Sequence, residues 1–456
     1  MKNFIRYLSQ FIDAYPLGIF RLGFGLLMVF GAIRFMALGW IEDHYTEPIF
    51  HFKYWGFEWV EPLPSFWLYV VHFLMIFAAL GVAFATKIWY RISAIILFLT
   101  FTYTELIDLT YYLNHYYFVS LVCLLLCLIP SPPPVLKRGY YVPRWAIGIF
   151  KLQITIVYVY AGLAKINYDW LVEALPLKIW LPAHDKMPLI GEIFTWKITP
   201  YVFSWAGMLY DCTIPFFLMW RKTRFWAYLL VIVFHTLVGL LFQIGIFPLV
   251  MIAGTLIFFD FQKDEIKPLI SIFKFCRLSI FREINTDATS TIQSAQNYSL
   301  PYPLAIFLAI FFIFQILFPW RYLLYEGNLF WTEEGYRFSW RVMLMEKAGT
   351  ATFYVKDSCT GREGIVNNRE FLNDHQEKQM AMQPDMILQF AHFLGKYYEK
   401  QGVCKPQVRA EVYVTLNGRP SKLLLDPNID LMKEKDTFAP KKWILPYEFA
   451  GRLSVD

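Results

Sequence analysis

The chain has 456 residues, of which 57% are hydrophobic, 20% aromatic and only 17% charged. Soluble domains carry about a quarter charged residues, so this composition excludes an ordinary soluble protein and indicates a polytopic membrane protein. The net charge of +6 gives no reason to expect a nucleic-acid partner, because basic residues in a membrane protein chiefly set its orientation.

Nine apolar runs have about the 17–25 residues that a membrane-spanning helix requires. We predict helices at 16–38, 66–85, 89–105, 113–130, 145–165, 201–220, 224–242, 245–261 and 302–319. With the N-terminus inside, the five inner segments hold 15 Lys and Arg residues, whereas the four outer loops hold 4. This asymmetry predicts a cytoplasmic N-terminus and an extracytoplasmic C-terminal region. The membrane is then a bacterial inner membrane or, in a eukaryote, that of the endoplasmic reticulum.

The polarity of the chain becomes ordinary after Pro319. Strand-like alternation at 351–357 and 410–418 flanks a helical pattern at 367–401. We therefore expect a transmembrane helical domain at 1–319 and an extracytoplasmic mixed α/β domain at 320–456. Within the first, the inner loop 261–300 combines a basic amphipathic stretch, expected on the membrane surface, with a Ser/Thr/Asn-rich linker.

The cysteines do not form a disulfide framework. Of the six, only Cys359 and Cys404 lie in a polar region where a disulfide could form, and no group of residues has the spacing of zinc ligands. No metal is therefore expected. The motifs of serine hydrolases, zinc proteases and nucleotide-binding proteins are also missing from the sequence.

Titratable side chains in membrane segments are costly, and each is a candidate functional residue. The main ones are His115, Lys165, Asp211 and His235, with Glu105 and Asp108 just before the fourth predicted helix. The predicted topology places His115, Lys165 and His235 at one depth, near the outer ends of three segments and beneath the outer domain. Each also has an ordinary interpretation. A lysine at a helix end usually extends to the headgroups, as expected for Arg21 and Arg34, and a lone histidine is usually a packing residue.

Several stretches resemble the vitamin K-dependent gamma-glutamyl carboxylases and their bacterial relatives with the horizontally transferred transmembrane domain. The similar stretches, in order, are PLGIFRLGFGLLMVF (16–30), LNHYYFVSL (113–121), IVYVYAGLAKINYDW (156–170), FHTLVGLLFQIGIFPLVMIA (234–253), FSWRVML (338–344), EVYVTLNGR (411–419), LLLDPNIDL (423–431) and Trp443. The resemblance covers about 430 residues, and the order of the motifs makes it specific.

This resemblance implies an enzyme that oxidises vitamin K hydroquinone, of the menaquinol type, with O2 to the 2,3-epoxide. The strong base so generated removes a γ-proton from a protein glutamate, and the carbanion adds CO2. The family's general base falls on Lys165, and its motif that holds the oxygenated quinone falls on Asn114 and His115. We extend a positioning role to His235. An apolar environment disfavours an ammonium, which suits a lysine that acts as a base.

The chain also departs from the animal enzymes of this family. It stops 13 residues after Trp443, and the loop 39–65 lacks the cysteine that joins this loop to the outer domain in those enzymes. A bacterial enzyme with another glutamate-containing substrate on the extracytoplasmic side is therefore expected. Two alternatives are a quinol-dependent oxygenase that forms epoxide without carboxylating protein and a non-catalytic quinone- or lipid-binding protein. Asp169 and Trp170 are expected to be a local polar partner and an interfacial anchor.

Overall fold

The computed structural model describes residues 2–130, 139–242, 244–261 and 300–447. Its N-terminal part consists of apolar helices, because long apolar runs can satisfy their backbone groups in a membrane only by forming helices. The helices of this part are α1 (Lys2–Ser9), α2 (Tyr15–Ala37), α3 (Ser65–Phe84), α4 (Lys87–Leu106), α5 (Asn114–Leu128), α6 (Arg144–Ala164), α7 (Tyr168–Leu171), α8 (Leu177–Trp180), α9 (Thr199–Met219), α10 (Arg224–Leu241), α11 (Phe247–Thr255) and α12 (Tyr302–Leu317).

Every one of the nine predicted apolar runs overlaps one of these helices. In the part of the chain that the structure describes, six helices are long and apolar enough to cross a membrane: α2, α3, α6, α9, α10, and α12 with its 3₁₀ extension to Leu324. The chain is thus a multi-pass membrane protein, and the count of nine spans stays a prediction. The predicted amphipathic stretch and linker in loop 261–300 lie almost entirely outside the described residues.

The first long helix packs closely against the second. At Gly25 of α2, an added Cβ would lie 2.6 Å from the Ala79 carbonyl oxygen, so only glycine permits this approach. One turn earlier, the fully buried Arg21 donates from Nη2 to the Ala85 oxygen at 2.7 Å and lies over the Tyr90 ring. The prediction that Arg21 extends to the headgroups is therefore wrong. The guanidinium instead binds the free carbonyl groups at the end of α3.

A four-stranded antiparallel sheet of order β4–β3–β5–β6 organises the C-terminal part. Its strands are β3 (Lys347–Lys356), β4 (Glu363–Ile365), β5 (Gln407–Leu416) and β6 (Lys422–Leu423); β1 (Phe11–Asp13) and β2 (Tyr141–Pro143) form a separate ribbon. Alternate residues of β5 are buried, as expected for a sheet with one covered face. The sequence allowed a disulfide between Cys359 and Cys404, and the structure contains it. It lies just beyond the end of the β3–β5 pair at which Lys356 is paired with Gln407.

Three helices accompany this sheet: α13 (Leu329–Thr332), α14 (Asp374–Met380) and α15 (Pro384–Lys400). The predicted single helix at 367–401 is therefore wrong, since two helices occupy this range. Asn373 forms a capping box that begins α14, and Pro384 occupies the first turn of α15, where a missing N–H is tolerated. Met386, Phe390 and Leu394 of α15 are fully buried in the core shared with the sheet.

Buried polar contacts join the C-terminal part to the helices. Asp108, between α4 and α5, accepts hydrogen bonds from Gln376 Nε2 at 2.6 Å and from the Thr110 hydroxyl at 2.6 Å, and its Oδ2 lies 3.1 Å from His51 Nδ1. The carboxylate is 2% exposed. A buried carboxylate needs such partners to offset its desolvation, so this cluster fixes the position of α14 on the helical part.

Candidate functional site

A small apolar cavity lies among α5, α6, α9, α10 and α11, below the C-terminal part. It has a volume of about 120 Å³, and Asn114, His115, Lys165 and His235 all line it. We name it the lysine cavity. The structure thus brings together these four residues that the sequence singled out, although two come from α5, one comes from α10 and Lys165 directly follows α6.

Lys165 lies at the C-terminal end of α6 and pairs with a carboxylate of α9. Its Nζ is 2.7 Å from Asp211 Oδ2 and donates a second hydrogen bond to the Ala161 oxygen at 3.2 Å. Both side chains are more than nine-tenths buried. The pairing depends on Gly162, where an added Cβ would lie 2.5 Å from Cys212 Sγ, because this close approach of α6 and α9 brings Asp211 within reach.

The face of α6 that carries Lys165 also carries Tyr158 and Ala161, at intervals of three and four residues. The Tyr158 hydroxyl lies 2.8 Å from His235 Nε2 on α10. This hydrogen bond fixes the orientation of the His235 ring, which is 2% exposed. The other ring nitrogen, His235 Nδ1, is buried and has no partner among the described residues.

His115 lies in the first turn of α5, on the opposite side of Phe247. The Phe247 ring centroid is 5.4 Å from that of His115 and 5.7 Å from that of His235. Within the described part of the chain, His115 Nε2 is also buried without a hydrogen-bond partner. Two buried imidazole nitrogens that find no partner among the described residues, on the walls of one apolar cavity, are unusual and point to a polar group that the cavity receives.

Asn114 has a different environment from the histidines. Its Oδ1 accepts a hydrogen bond from the Tyr112 hydroxyl at 3.0 Å, and its Nδ2 donates to the Arg341 oxygen at 2.7 Å. The Tyr112 hydroxyl also accepts from the Phe338 N–H at 2.8 Å. Asn114 therefore ties the beginning of α5 to the segment 338–341 of the C-terminal part.

That segment closes the lysine cavity from above. Trp340, Val342 and Met343 contribute to its lining, and Trp340 is 1% exposed. The Trp340 ring stacks on Tyr117 of α5, with centroids 5.0 Å apart, and Tyr117 also contacts Phe338 at 4.9 Å. We refer to Tyr117, Phe338 and Trp340 as the aromatic partition, since they stand between the lysine cavity and a larger cavity described below.

The two residues that follow Lys165 in its motif differ from their expected roles. Trp170 is 5% exposed, and its Nε1 donates to the Ser204 oxygen at 2.9 Å, so it is a buried packing residue and not an interfacial anchor. Asp169 is no local partner either. Its two carboxylate oxygens accept hydrogen bonds from Arg419 at 2.6 Å each, and Asn417 adds a third at 2.7 Å. The motif thus joins α7 to the loop after β5.

Comparison with known protein families finds a matching family for each of the two parts of the chain. Residues 9–262 match the HTTM domain, and residues 301–449 match the lumenal domain of vitamin K-dependent gamma-carboxylase. The chain belongs to the vitamin K-dependent gamma-carboxylase family. The name of the second domain indicates that the C-terminal part of this gamma-carboxylase homologue lies on the non-cytoplasmic side of the membrane. No solved structure matches the chain.

The side chains that line the lysine cavity have the chemistry that suits the ring of the hydroquinone on which the gamma-carboxylase family depends. The cavity, of about 120 Å³, is smaller than the roughly 300–1,000 Å³ of most ligand pockets, so it would have to widen to admit the ring. An aromatic ring with polar oxygens needs apolar walls and a few hydrogen-bonding groups. The cavity offers both, with Phe118, Phe234 and Phe247 on its walls and the unpartnered nitrogens of His115 and His235.

Sequence reasoning singled out Asp211 as a candidate but did not predict its pairing with Lys165, and it missed two contributors to this site, Tyr158 and the roof around Trp340. Asp211 carried a usable signal, because a lone carboxylate and a lone lysine in the same apolar bundle are expected to pair. Tyr158 carried a weaker one, its helical spacing to Lys165. Trp340 carried none, since nothing in its local sequence shows that a residue of the C-terminal part reaches the membrane helices.

Proposed function

We propose that this protein is a gamma-glutamyl carboxylase that couples oxidation of a vitamin K-type hydroquinone by O2 to the addition of CO2 at a protein glutamate. The observation that carries the proposal is the lysine cavity, where Lys165, His115 and His235 line one apolar space. Membership of the family supports the reaction class. The hydroquinone supplies the reducing equivalents and, after oxidation, the strong base; the side chains supply proton transfer and orientation.

In this proposal, Lys165 and Asp211 act together as the general base. A proton that moves from Nζ to Oδ2 across 2.7 Å leaves a neutral amine and a neutral carboxylic acid. Such an uncharged pair suits an apolar cavity, where separate charges are costly. The free amine then accepts the proton of a hydroquinone hydroxyl, and the resulting ammonium lies beside the developing negative charge.

The two histidines and Asn114 position the hydroquinone in this scheme. His115 and His235 offer ring nitrogens to its oxygens, and Tyr158 holds the His235 ring by its hydrogen bond. Asn114 acts through the segment 338–341, which it binds, and so helps to keep Trp340 over the cavity. Exclusion of water by this roof protects a strong base from quenching.

The proposal also includes the topology. We assign residues 1–319 to a transmembrane domain with a cytoplasmic N-terminus and residues 320–456 to an extracytoplasmic domain. Because the roof of the lysine cavity comes from the C-terminal part, a glutamate-containing protein or peptide would approach from the extracytoplasmic side. The excess of basic residues in the predicted inner segments supports this orientation.

A single assay tests the reaction. Purified protein receives reduced vitamin K, O2, labelled bicarbonate and a glutamate-containing peptide, and both epoxide and fixed label are measured. We expect both products from the unaltered protein and neither from Lys165→Ala. Lys151→Ala is the matched control, because Lys151 lies on the same helix, outside the lysine cavity, and near Phe258.

The outcomes separate the alternatives. Epoxide without fixed label would replace the carboxylase with a quinol-dependent oxygenase. Binding of the quinone without either product would indicate a non-catalytic quinone-binding protein. Full activity of Lys165→Ala would overturn the role given to Lys165.

A further inference from the structure

A second and larger cavity opens beside the lysine cavity, on the other side of the aromatic partition. Its volume is about 570 Å³, within the range of pockets that take small organic ligands. It extends from Lys441 and Asp385 in the C-terminal part down to Leu124, which lies ten residues into α5 and so about 15 Å along that helix. We name it the glutamate cavity after Glu105, which lines it.

Glu105, at the end of α4, forms no hydrogen bond or ion pair with the residues that the structure describes. Thr102 lies one turn earlier on the same helix and lines the same cavity. Its hydroxyl oxygen is buried and likewise has no partner among the described residues. A partly buried carboxylate beside an unused hydroxyl is a site for a cation that can donate hydrogen bonds.

Arg321 is the complementary group of the cavity. It follows α12, and its guanidinium donates only to backbone oxygens of Phe318 and Arg337 in the described part of the chain. It also lies 4.0 Å from the centroid of the Phe318 ring. With no carboxylate partner in that part of the chain, this guanidinium can bind an anion, and its planar fork suits a phosphate.

The other charged residues of the glutamate cavity are already paired. Arg337 binds Asp385, and Lys441 lies 3.6 Å from Asp436 and 3.9 Å from Glu334. Glu333 lies 2.8 Å from Lys347, and Lys53 lies 2.9 Å from Glu61. Among the charged residues of the lining, Glu105 and Arg321 therefore remain without an ion-pair partner in the described part of the chain, while Lys441 has two carboxylates beside it. The two unused groups, one acid and one guanidinium, suit a zwitterionic ligand. An acidic peptide would meet no net positive field here, which argues against it as the occupant.

The position of the two unpaired groups identifies the kind of zwitterion. Glu105 ends α4 and Arg321 follows α12, both on the side of the C-terminal part, where a membrane helix meets the headgroups. Below them the lining is apolar and includes Phe98, Leu121 and Leu124. Leu323, beside Arg321, is 65% exposed, as expected of a surface that meets lipid.

We propose that the glutamate cavity binds a zwitterionic phospholipid with a primary ammonium headgroup, such as phosphatidylethanolamine, from the non-cytoplasmic leaflet. Arg321 binds the phosphate, Glu105 and the Thr102 hydroxyl accept hydrogen bonds from the ammonium, and the apolar lower part receives an acyl chain. This site is separate from the lysine cavity, and nothing in the proposal depends on the carboxylation reaction.

Lipid retention by the full-length protein tests the proposal. Delipidated protein in detergent is incubated with equal amounts of phosphatidylethanolamine, phosphatidylcholine and phosphatidylglycerol with identical acyl chains, and bound lipid is measured by native mass spectrometry. We expect phosphatidylethanolamine to be retained about tenfold over the other two, the preference that one charge-assisted hydrogen bond supplies. Equal retention of the three lipids would show that the bound lipid is held non-specifically at the protein surface. This result with the unaltered protein would be enough to overturn the proposal.

Two variants then assign the contacts. Glu105→Gln should remove most of the preference for phosphatidylethanolamine over phosphatidylglycerol, and Arg321→Gln should lower retention of all three phospholipids. Arg91→Gln is the control, because Arg91 is exposed on the same helix as Glu105 but outside the cavity, and it should behave as the unaltered protein. An unchanged preference in Glu105→Gln, or displacement of the lipid by a glutamate-containing peptide, would contradict the assignment.

Discussion

At Lys165, the pairing with Asp211 changes how a buried lysine can serve as a base. A lysine without a partner in an apolar cavity would be neutral, but the ammonium it forms on taking a proton would then have no counterion. Asp211 supplies that counterion at 2.7 Å. The pair thus suits both stages of a proton transfer, at the cost of desolvating two groups.

Asp211→Asn tests this interpretation. We expect a loss of thermal stability equivalent to about 3 kcal/mol, because one buried charge loses its partner. We also expect kcat for epoxide formation to fall about a hundredfold with a smaller change in KM, since proton transfer is affected more than binding. The pH profile of kcat should change, and Asp211→Glu should restore part of the activity. Unchanged kcat across the pH range would assign Asp211 a purely structural role.

At the scale of elements, the contact between α7 and the loop after β5 holds the C-terminal part over the helices. Arg419 binds Asp169 through two hydrogen bonds, and about five-sixths of each side chain is shielded from solvent. A bidentate, mostly buried pair contributes more than an exposed one.

A double-mutant cycle on Asp169→Asn and Arg419→Gln should therefore give a coupling energy of about 1–2 kcal/mol in thermal or denaturant unfolding. The control is the pair Arg409–Glu363, which joins β5 to β4 and has side chains 28% and 33% exposed. Its coupling energy should be less than about 1 kcal/mol. Equal coupling energies for the two pairs would show that Asp169 contributes no more than a surface charge.

The short π-helix Glu42–Thr46 carries a pH-sensitive contact. His44 stacks on Tyr111 with ring centroids 3.8 Å apart, and burial, together with nearby His375, lowers its pKa to about 3. The unfolded chain, whose histidine has a pKa near 6.5, binds the proton more readily below that pH. The contribution of neutral His44 to stability is therefore present above about pH 6.5 and is lost as the pH falls toward 3.

His44→Phe keeps an aromatic ring and removes the titration. Between pH 7.5 and 5, the free energy of unfolding should fall less in the variant than in the unaltered protein. The difference between the two free energies should grow by at most about 1.4 kcal/mol for each pH unit. Thermal unfolding in detergent at several pH values measures this. Parallel pH dependences in the two proteins would show that His44 does not titrate differently on folding.

At the scale of the whole molecule, the disulfide reports the orientation. Cys359–Cys404 spans 45 residues, and disulfides persist mainly in oxidising compartments. We expect a membrane-impermeant reductant and thiol reagent, applied to intact cells, to label both cysteines. The variant with both cysteines changed to serine should lose this label and about 4 kcal/mol of stability. Labelling only after the membrane is permeabilised would reverse the proposed topology.

The sequence predicted the larger features better than the contacts between them. Apolar runs are local, so every predicted run overlaps a helix, and the two predicted strands lie within a few residues of β3 and β5. The short strands β4 and β6 were not predicted. Lys165, His115 and His235 were singled out because titratable groups in an apolar segment are conspicuous, and their roles stay a proposal. Lys165 and Asp211 are 46 residues apart in sequence, and their pairing depends on Gly162, which lets α6 and α9 approach. The position of the Arg21 side chain depends on the end of a neighbouring helix.

The aromatic partition is a wall that the lysine cavity and the glutamate cavity share. Tyr117 comes from the membrane helices, while Phe338 and Trp340 come from the C-terminal part, so neither part builds this wall alone. Redesign of one cavity therefore alters the other: shortening Trp340 to enlarge the lysine cavity would also remove the ring that supports Tyr117, which lines the glutamate cavity. Under the two proposals above, natural variants that differ at Tyr117, Phe338 or Trp340 should change in quinone selectivity and in lipid dependence together.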